Sequence, residues 1–227
     1  MRKKYAVYVF SICVSLLILS CGTGAGTGIN AGDQLSFSAN GISFDMRYVP
    51  AATFPTGIDD NAGAATVSTS FWVGETEVTY QLWQSVYNWA TSGSSGTGAG
   101  QYIFVNSGTQ GNGSGVTTNQ HPVSEVNWRD ALVWCNALTE WYNQYSSTDL
   151  ETVYNDSGSP IRDSSDAAAC DNVVPVESTS RTGFRLLTTN EWELAARWRD
   201  DSTNVVDGYS NPWFTKGNSA SGAVDAY

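Results

Sequence analysis

Gly183-Phe-Arg-Leu-Leu-Thr-Thr-Asn-Glu-Trp-Glu-Leu-Ala-Ala-Arg197 is the stretch from which the fold reads most directly. Thr188 and Glu191 stand at the Thr-x-x-Glu spacing of a capping box, in which the hydroxyl accepts from the N–H three residues on and the carboxylate accepts from the N–H of the cap. A helix therefore starts at Thr188, with a strand ending just before it. Trp192, Ala195 and Ala196 recur on one face, and Glu193 precedes Arg197 by four, the favourable order for an exposed pair. The pattern predicts a short amphipathic helix with Trp192 anchoring it to a core.

A second capped helix lies upstream. In His121-Pro-Val-Ser-Glu-Val-Asn-Trp-Arg-Asp-Ala131, Asn127 is the expected cap with Asp130 three residues on. Trp128, Ala131, Leu132, Cys135, Leu138 and Tyr142 follow at helical spacing, and Trp134 and Trp141 widen the stripe. An earlier helix is expected from Thr79 through Trp89 with Leu82, Trp83, Val86, Tyr87 and Ala90 as its stripe. Ahead of it, Ile42, Phe44, Met46 and Tyr48 alternate as a strand.

These stretches resemble the formylglycine-generating enzyme (sulfatase-modifying factor) family. Its Arg-Leu-Pro-Thr-Glu-x-Glu-Trp-Glu-x-Ala-x-Arg hallmark stands here as Arg185 to Arg197, with Leu187 in place of Pro and Thr189 in place of Glu. Its Pro-Val-x-x-Val-x-Trp-x-Asp-Ala run stands at Pro122 to Ala131, and its aromatic strand and Glu-Val-Thr element at Phe71 to Thr79. The fold signature comprises Thr188, Glu191, Trp192, Trp128 and Asp130. The resemblance implies an α+β, C-type-lectin-like domain, incomplete at the C-terminus because no Gly-Asn-Val-Trp-Glu-Trp-like segment follows. It implies calcium held by Asn218, Ser219, Asp225 and Tyr227, which match the order of the family's ligands. Copper is not expected, because neither Cys135 nor Cys170 matches the family's catalytic cysteine motifs and thiolates are the ligands that suit Cu(I).

The N-terminus carries Met1-Arg-Lys-Lys4, an apolar run from Tyr5 to Leu19, and then Ser20-Cys21. Such a run is too short to span a membrane and has the order of a secretory leader. The residues before Cys21 resemble a bacterial lipobox, so residues 1–20 are read as leader, Cys21 as the lipidation site and 21–41 as a glycine-rich tether. The domain then occupies 42–227. Without the leader's three cations the remaining 8 Lys and Arg face 22 Asp and Glu, a net charge of -14. That balance argues against nucleic acid and against adhesion through anionic headgroups, leaving the lipid as the membrane contact.

Between these elements the chain is polar. Thr53 to Gly57 is expected as a turn, Asp59 to Ala65 as a loop, and 91–120 as a surface spacer with one short edge strand at Tyr102 to Val105. Asp149/Glu151 and Asp163/Asp166 are read as solvated acids rather than an acid-base pair. The lone His121 cannot build a zinc site. The function expected is a lipoprotein of the cell envelope, on the outer-membrane surface or in the periplasm, that binds a protein or glycan without catalysis. The alternatives are a degenerate fragment of a formylglycine-generating oxidoreductase and a structural envelope lipoprotein. Exposed Trp or Tyr would favour glycan binding.

Overall fold

A computed structural model describes residues 12–14, 28–56, 63–111, 118–173 and 180–196. In chain order, strands β1 (Ile12–Val14), β2 (Gln34–Ala39), β3 (Ile42–Val49), β4 (Ala52–Thr56), β5 (Gly63–Val67) and β6 (Phe71–Gly74) lead to helix α1 (Tyr80–Ser92). The short pair β7 (Thr109–Gln110) and β8 (Val123–Ser124) brings the chain to the long helix α2 (Trp128–Ser146). A hairpin of β9 (Asn155–Asp156) and β10 (Ser159–Pro160), the short helix α3 (Ala167–Asp171), β11 (Phe184–Leu186) and α4 (Thr189–Ala196) follow. The principal sheet has the order β11-β1-β6-β3-β2, and β4-β5, β7-β8 and β9-β10 are separate two-stranded pairs.

The helix starts follow their caps. Thr79 accepts from the Leu82 N–H at the head of α1, and Asn127 accepts from Arg129 and Asp130 at the head of α2, with Asp130 returning to the Asn127 N–H at 3.1 Å. At α4, the Glu191 N–H donates to Thr188 Oγ1 at 3.2 Å and the Thr188 N–H donates to Glu191 Oε2 at 2.8 Å, the reciprocal box its spacing predicts.

Several expectations are corrected. The stretch 34–39, assigned above to the tether, is a strand paired with β3 from Gln34↔Arg47 to Ala39↔Ile42. Asn40 and Gly41, with φ of 48° and 76°, form its two-residue turn. Asn-Gly is the dipeptide such a hairpin turn favours, because both positions are left-handed. Thr53 to Thr56 is strand rather than turn: β4 pairs with β5 from Ala52↔Val67 to Thr56↔Gly63, and Phe54 is buried between them and the core. The segment after α1 is tied down rather than a spacer. Tyr102 is buried, Phe104 packs against Trp83 and Tyr87, and the Ile103 N–H donates to the Arg162 carbonyl at 2.8 Å. Its apolar residues lay too close together for a periodicity to show, and tertiary pairing decided them.

Part of the N-terminal apolar run also has a place in the fold. Ile12–Val14 lies between β6 and β11, antiparallel to both, with Cys13 opposite Val73 on one side and Arg185 on the other. Among the described residues no helix is long and apolar enough to cross a membrane.

Two clusters form the interior. The larger is built on α1 and α2, whose Trp83 and Trp134 rings stack at 5.2 Å, and reaches the sheet through Phe37, Phe44 and Phe184. The smaller is Val49, Phe54, Val67, Phe71 and Leu194, where α4 closes over the β4-β5 hairpin. Here the face of α4 differs from the expected one. Leu194 and Glu191 point inward, whereas Trp192 is 40% exposed; Trp128, at the first turn of α2, is 45% exposed. Both Trp residues were read as core because of their type and spacing. Each lies within two residues of the capping-box acid, whose own side chain must turn inward, Glu191 to Arg185 and Asp130 to the Val105–Asn106 segment, and that rotates the Trp outward.

Candidate functional site

α2 is the scaffold of the site. Asp130, fully buried at its first turn, accepts from the Val105 and Asn106 N–H groups at 3.0 and 3.3 Å, from Asn106 Nδ2 at 2.7 Å and from Ser164 Oγ at 2.6 Å. One carboxylate thus fixes two chain segments to the helix. Nearly two turns further on, Asn136 accepts from the Tyr154 N–H at 3.1 Å and donates to the Ile161 carbonyl at 3.0 Å, which seats the β9-β10 hairpin.

The next inward residue on that side, Glu140, is the floor of a polar basin of about 470 Å³. Tyr102 Oη donates to Glu140 Oε2 at 2.6 Å, and Arg162 bonds both carboxylate oxygens while lying over the Tyr102 ring at 5.5 Å. Burial and the Glu140 carboxylate push the Tyr102 phenol well above its usual value, so it stays a donor. Gly98 sits directly on this group. Its φ is +86° and a Cβ there would stand 1.9 Å from Glu140 Oε2, so glycine is required twice over.

The basin walls are Asn143 and Gln144 of α2, the loop from Thr148 to Thr152, Asn155 and Pro160 of the hairpin, and Arg181. Asn143 holds the loop, accepting from Thr148 Oγ1 and the Leu150 N–H at 2.8 and 2.9 Å and donating to the Leu150 carbonyl at 2.9 Å. Asn155 Nδ2 donates to the Thr152 carbonyl at 2.7 Å. Gln144, Asp149 and Glu151 reach solvent at the rim. A basin of amides, hydroxyls and carboxylates on braced supports binds by hydrogen bonds, the chemistry suited to a polyhydroxylated or peptide ligand.

The other acids have structural work: Asp163 accepts from the Ser165 N–H and hydroxyl, and Asp166 caps α3 through the Ala169 N–H. Cys135 and Cys170 are both buried thiols. Burial pushes the Cys170 thiol up to about 11, and its Sγ lies 3.6 Å from the Asp163 carbonyl. Among the described residues no group of three or more His, Cys, Asp and Glu is arranged to hold a metal. Asn218, Ser219, Asp225 and Tyr227, like Cys21, lie outside the described residues.

Between β11 and the hallmark helix lies an ion pair the residue spacing did not reveal. Arg185 Nη1 and Nη2 bond Glu191 Oε2 and Oε1 at 2.7 and 2.6 Å, both side chains buried. Burial alone would raise the Glu191 carboxyl; the Arg185 bonds and charge, with the Thr188 N–H, overturn it and hold it below the usual carboxylate range. The helix cap and the ion pair share one side chain, so the strand β11 and α4 are locked as a unit.

Small sheets under a pair of packed helices, with long loops held on α2, define an α+β domain of the C-type-lectin-like class. The chain belongs to the sulfatase-modifying factor enzyme 1-like domain family, which it matches over residues 39–221. It is 26% identical over 176 residues to a protein named chaperone protein LppX from Paenibacillus barcinonensis, an alignment covering 75% of this chain and 52% of that one. The chain therefore spans about half the length of this curated relative. Among solved structures it is similar to Treponema denticola variable protein 1, at 27% identity and a TM-score of 0.49, over 72% of this chain and 56% of that one.

Proposed function

We propose that the protein is an exported, lipid-anchored binding protein of the cell envelope whose sulfatase-modifying-factor-type domain works without catalysis. The state of its thiols carries this reading. Oxygen-dependent oxidation at a copper ion needs a pair of thiolates open to the metal. Within residues 42–227 the two cysteines are both interior, Cys135 in the core of α2 and Cys170 driven away from the thiolate by burial, so neither offers the open thiolate that this chemistry uses. The relative named a chaperone agrees with a binding role.

Ligand capture is assigned to the basin above Glu140, with a protein or glycan as ligand. Calcium at Asn218, Ser219, Asp225 and Tyr227 is part of the same proposal, supported by the order of the four donors and their hard oxygen chemistry.

The test is direct. The full chain, loaded with Cu(I) and given a cysteine-containing peptide and oxygen, should form no aldehyde detectable by mass spectrometry; aldehyde formation overturns the non-catalytic reading. Glycans and unfolded polypeptides are then titrated against parent, Gln144→Ala and Asp149→Ala chains. A ligand whose affinity falls at least tenfold in both variants supports the basin, and one unaffected by either places binding elsewhere. Cells fed labelled fatty acid should label the parent and not Cys21→Ser; equal label in both rejects anchoring at Cys21.

A further inference from the structure

A second cavity, separate from the basin above Glu140, opens where the start of β3 and the end of β6 meet the first turn of α1, and holds about 290 Å³. Segment 75–79 joins β6 to α1 along it, so strand, connection and helix each supply part of its wall. Its apolar side is Phe44, Val78 and Leu82. Val78 and Leu82 are core side chains, and Phe44 stacks on Phe37 at 5.2 Å. Its polar side carries the carboxylates of Asp45, Glu75 and Glu77, the hydroxyls of Ser43 and Thr76, and the Gln120 amide. Among the described residues no Lys, Arg or His lines it.

The hydrogen-bond inventory of these walls decides what enters. Ser43 donates its hydroxyl to Ser38 Oγ at 3.2 Å, Thr76 donates to the Glu77 carbonyl at 2.9 Å, and Gln120 donates an amide hydrogen to Gln81 Oε1. Those donors are spent within the protein. The acceptors are not: among the described residues the Asp45 and Glu77 carboxylates have no hydrogen-bond or ion-pair partner, and of the three acids Glu75 alone is neutralised, by Arg47 at 2.9 Å.

The helix end beside them does not reverse this balance. A helix N-terminus attracts anions through its free N–H groups. At α1, however, the Tyr80 and Gln81 N–H groups donate to the His121 and Asn119 carbonyls, and the Leu82 N–H donates to Thr79 Oγ1. An anion would meet two unpaired carboxylates with no helix donor to offset them. A ligand that brings donors, a positive charge and an apolar body satisfies both walls. Ammonium and guanidinium groups donate and do not accept, and their stems cover apolar surface while the charged head stays at a polar rim.

We propose that this cavity is a second binding site, for an organic cation of side-chain size: a primary ammonium or guanidinium on a short apolar stem. The Asp45 and Glu77 carboxylates hold the head, and the stem lies against Phe44, Val78 and Leu82. The volume stands at the lower end of small-molecule sites, about 300 to 1,000 Å³, which restricts the occupant to a short stem. The site does not rest on ligand capture at the basin.

The test uses the full chain, labelled with heavy nitrogen, and three probes of one length: pentylamine, pentanol and pentanoate. Pentylamine should shift the amide resonances of residues 74–79 and of Gln120 and bind at least tenfold tighter than pentanol, with no shift from pentanoate. Asp45→Asn and Glu77→Gln keep the shape of each side chain, and each should weaken pentylamine at least threefold; added salt should weaken it further. Equal affinity for pentylamine and pentanol, or amine binding untouched by both substitutions, overturns the proposal. So does an absence of shifts at these amides, the result expected if another part of the chain fills the cavity. An end-blocked Gly-Lys-Gly peptide distinguishes the sources of the cation. Tighter binding than pentylamine that is lost on acetylating the lysine amine assigns the site to a polypeptide lysine, and equal or weaker binding assigns it to a free amine. Tighter binding that survives acetylation overturns the cationic head.

Discussion

Replacing Leu194 and Trp192 separately decides which face of α4 holds the domain together. Leu194 has no exposed surface and closes the cluster of Val49, Phe54, Val67 and Phe71, whereas Trp192 is 40% exposed. The four partners sit on strands pinned by cross-strand pairing, so they cannot relax far into the space left by a truncated leucine. Leu194→Ala is therefore expected to cost about 3 kcal/mol, within the range of about 2 to 5 for buried Leu truncations. At about 2 to 4 °C per kcal/mol for a domain of this size, Tm should fall by roughly 6 to 12 °C. Trp192→Ala loses partly hydrated surface and gains helix propensity, so it should cost about 1 kcal/mol or less. Thermal melts followed by far-UV circular dichroism, repeated in urea with an unchanged slope, measure both. If Trp192→Ala lowers Tm as much as Leu194→Ala, the assignment of the buried face is wrong.

Asp130→Asn puts an amide where a carboxylate receives five donors, and it should destabilise the chain by about 3 kcal/mol in urea titration, with faster hydrogen exchange at Val105 and Asn106. Glu191 has a folded pKa below its ordinary 4.5, so its contribution is fully present above that value and is lost as pH falls through the lower folded one. The melting temperature of the parent should accordingly drop as pH falls below about 4.5, and Glu191→Gln should be less stable at pH 7 with a flatter acid limb; parallel limbs would reject the linkage. Millimolar calcium should raise the melting temperature of the full chain, and Asp225→Ala should remove the increase; equal melts with calcium and with chelator would rule out that site.

What the sequence determined by itself was local. The caps Thr79, Asn127 and Thr188 read correctly because a cap is a bond between residues two or three apart, and its hydrogen-bond partners are present in the chain order. Apart from Trp128, the stripes of α1 and α2 read correctly for the same reason, since a helix repeats its face every turn. The β2-β3 hairpin was not read from the sequence, because Asn40-Gly41 and the alternating Leu35, Phe37 and Ala39 follow a glycine-rich run that reads as tether. The remainder belonged to tertiary structure. Whether Trp192 or Leu194 faces inward depends on Arg185 claiming Glu191, and whether Tyr102 is buried depends on Glu140 and Arg162 meeting it across the fold. The basin gathers α2, a loop, a hairpin and Arg181, and the principal sheet joins residue 13 to residues 73 and 185. Such pairings join residues far apart in the chain, where no periodicity or spacing can record them, and only the packing of the finished sheets and helices brings them within bonding distance.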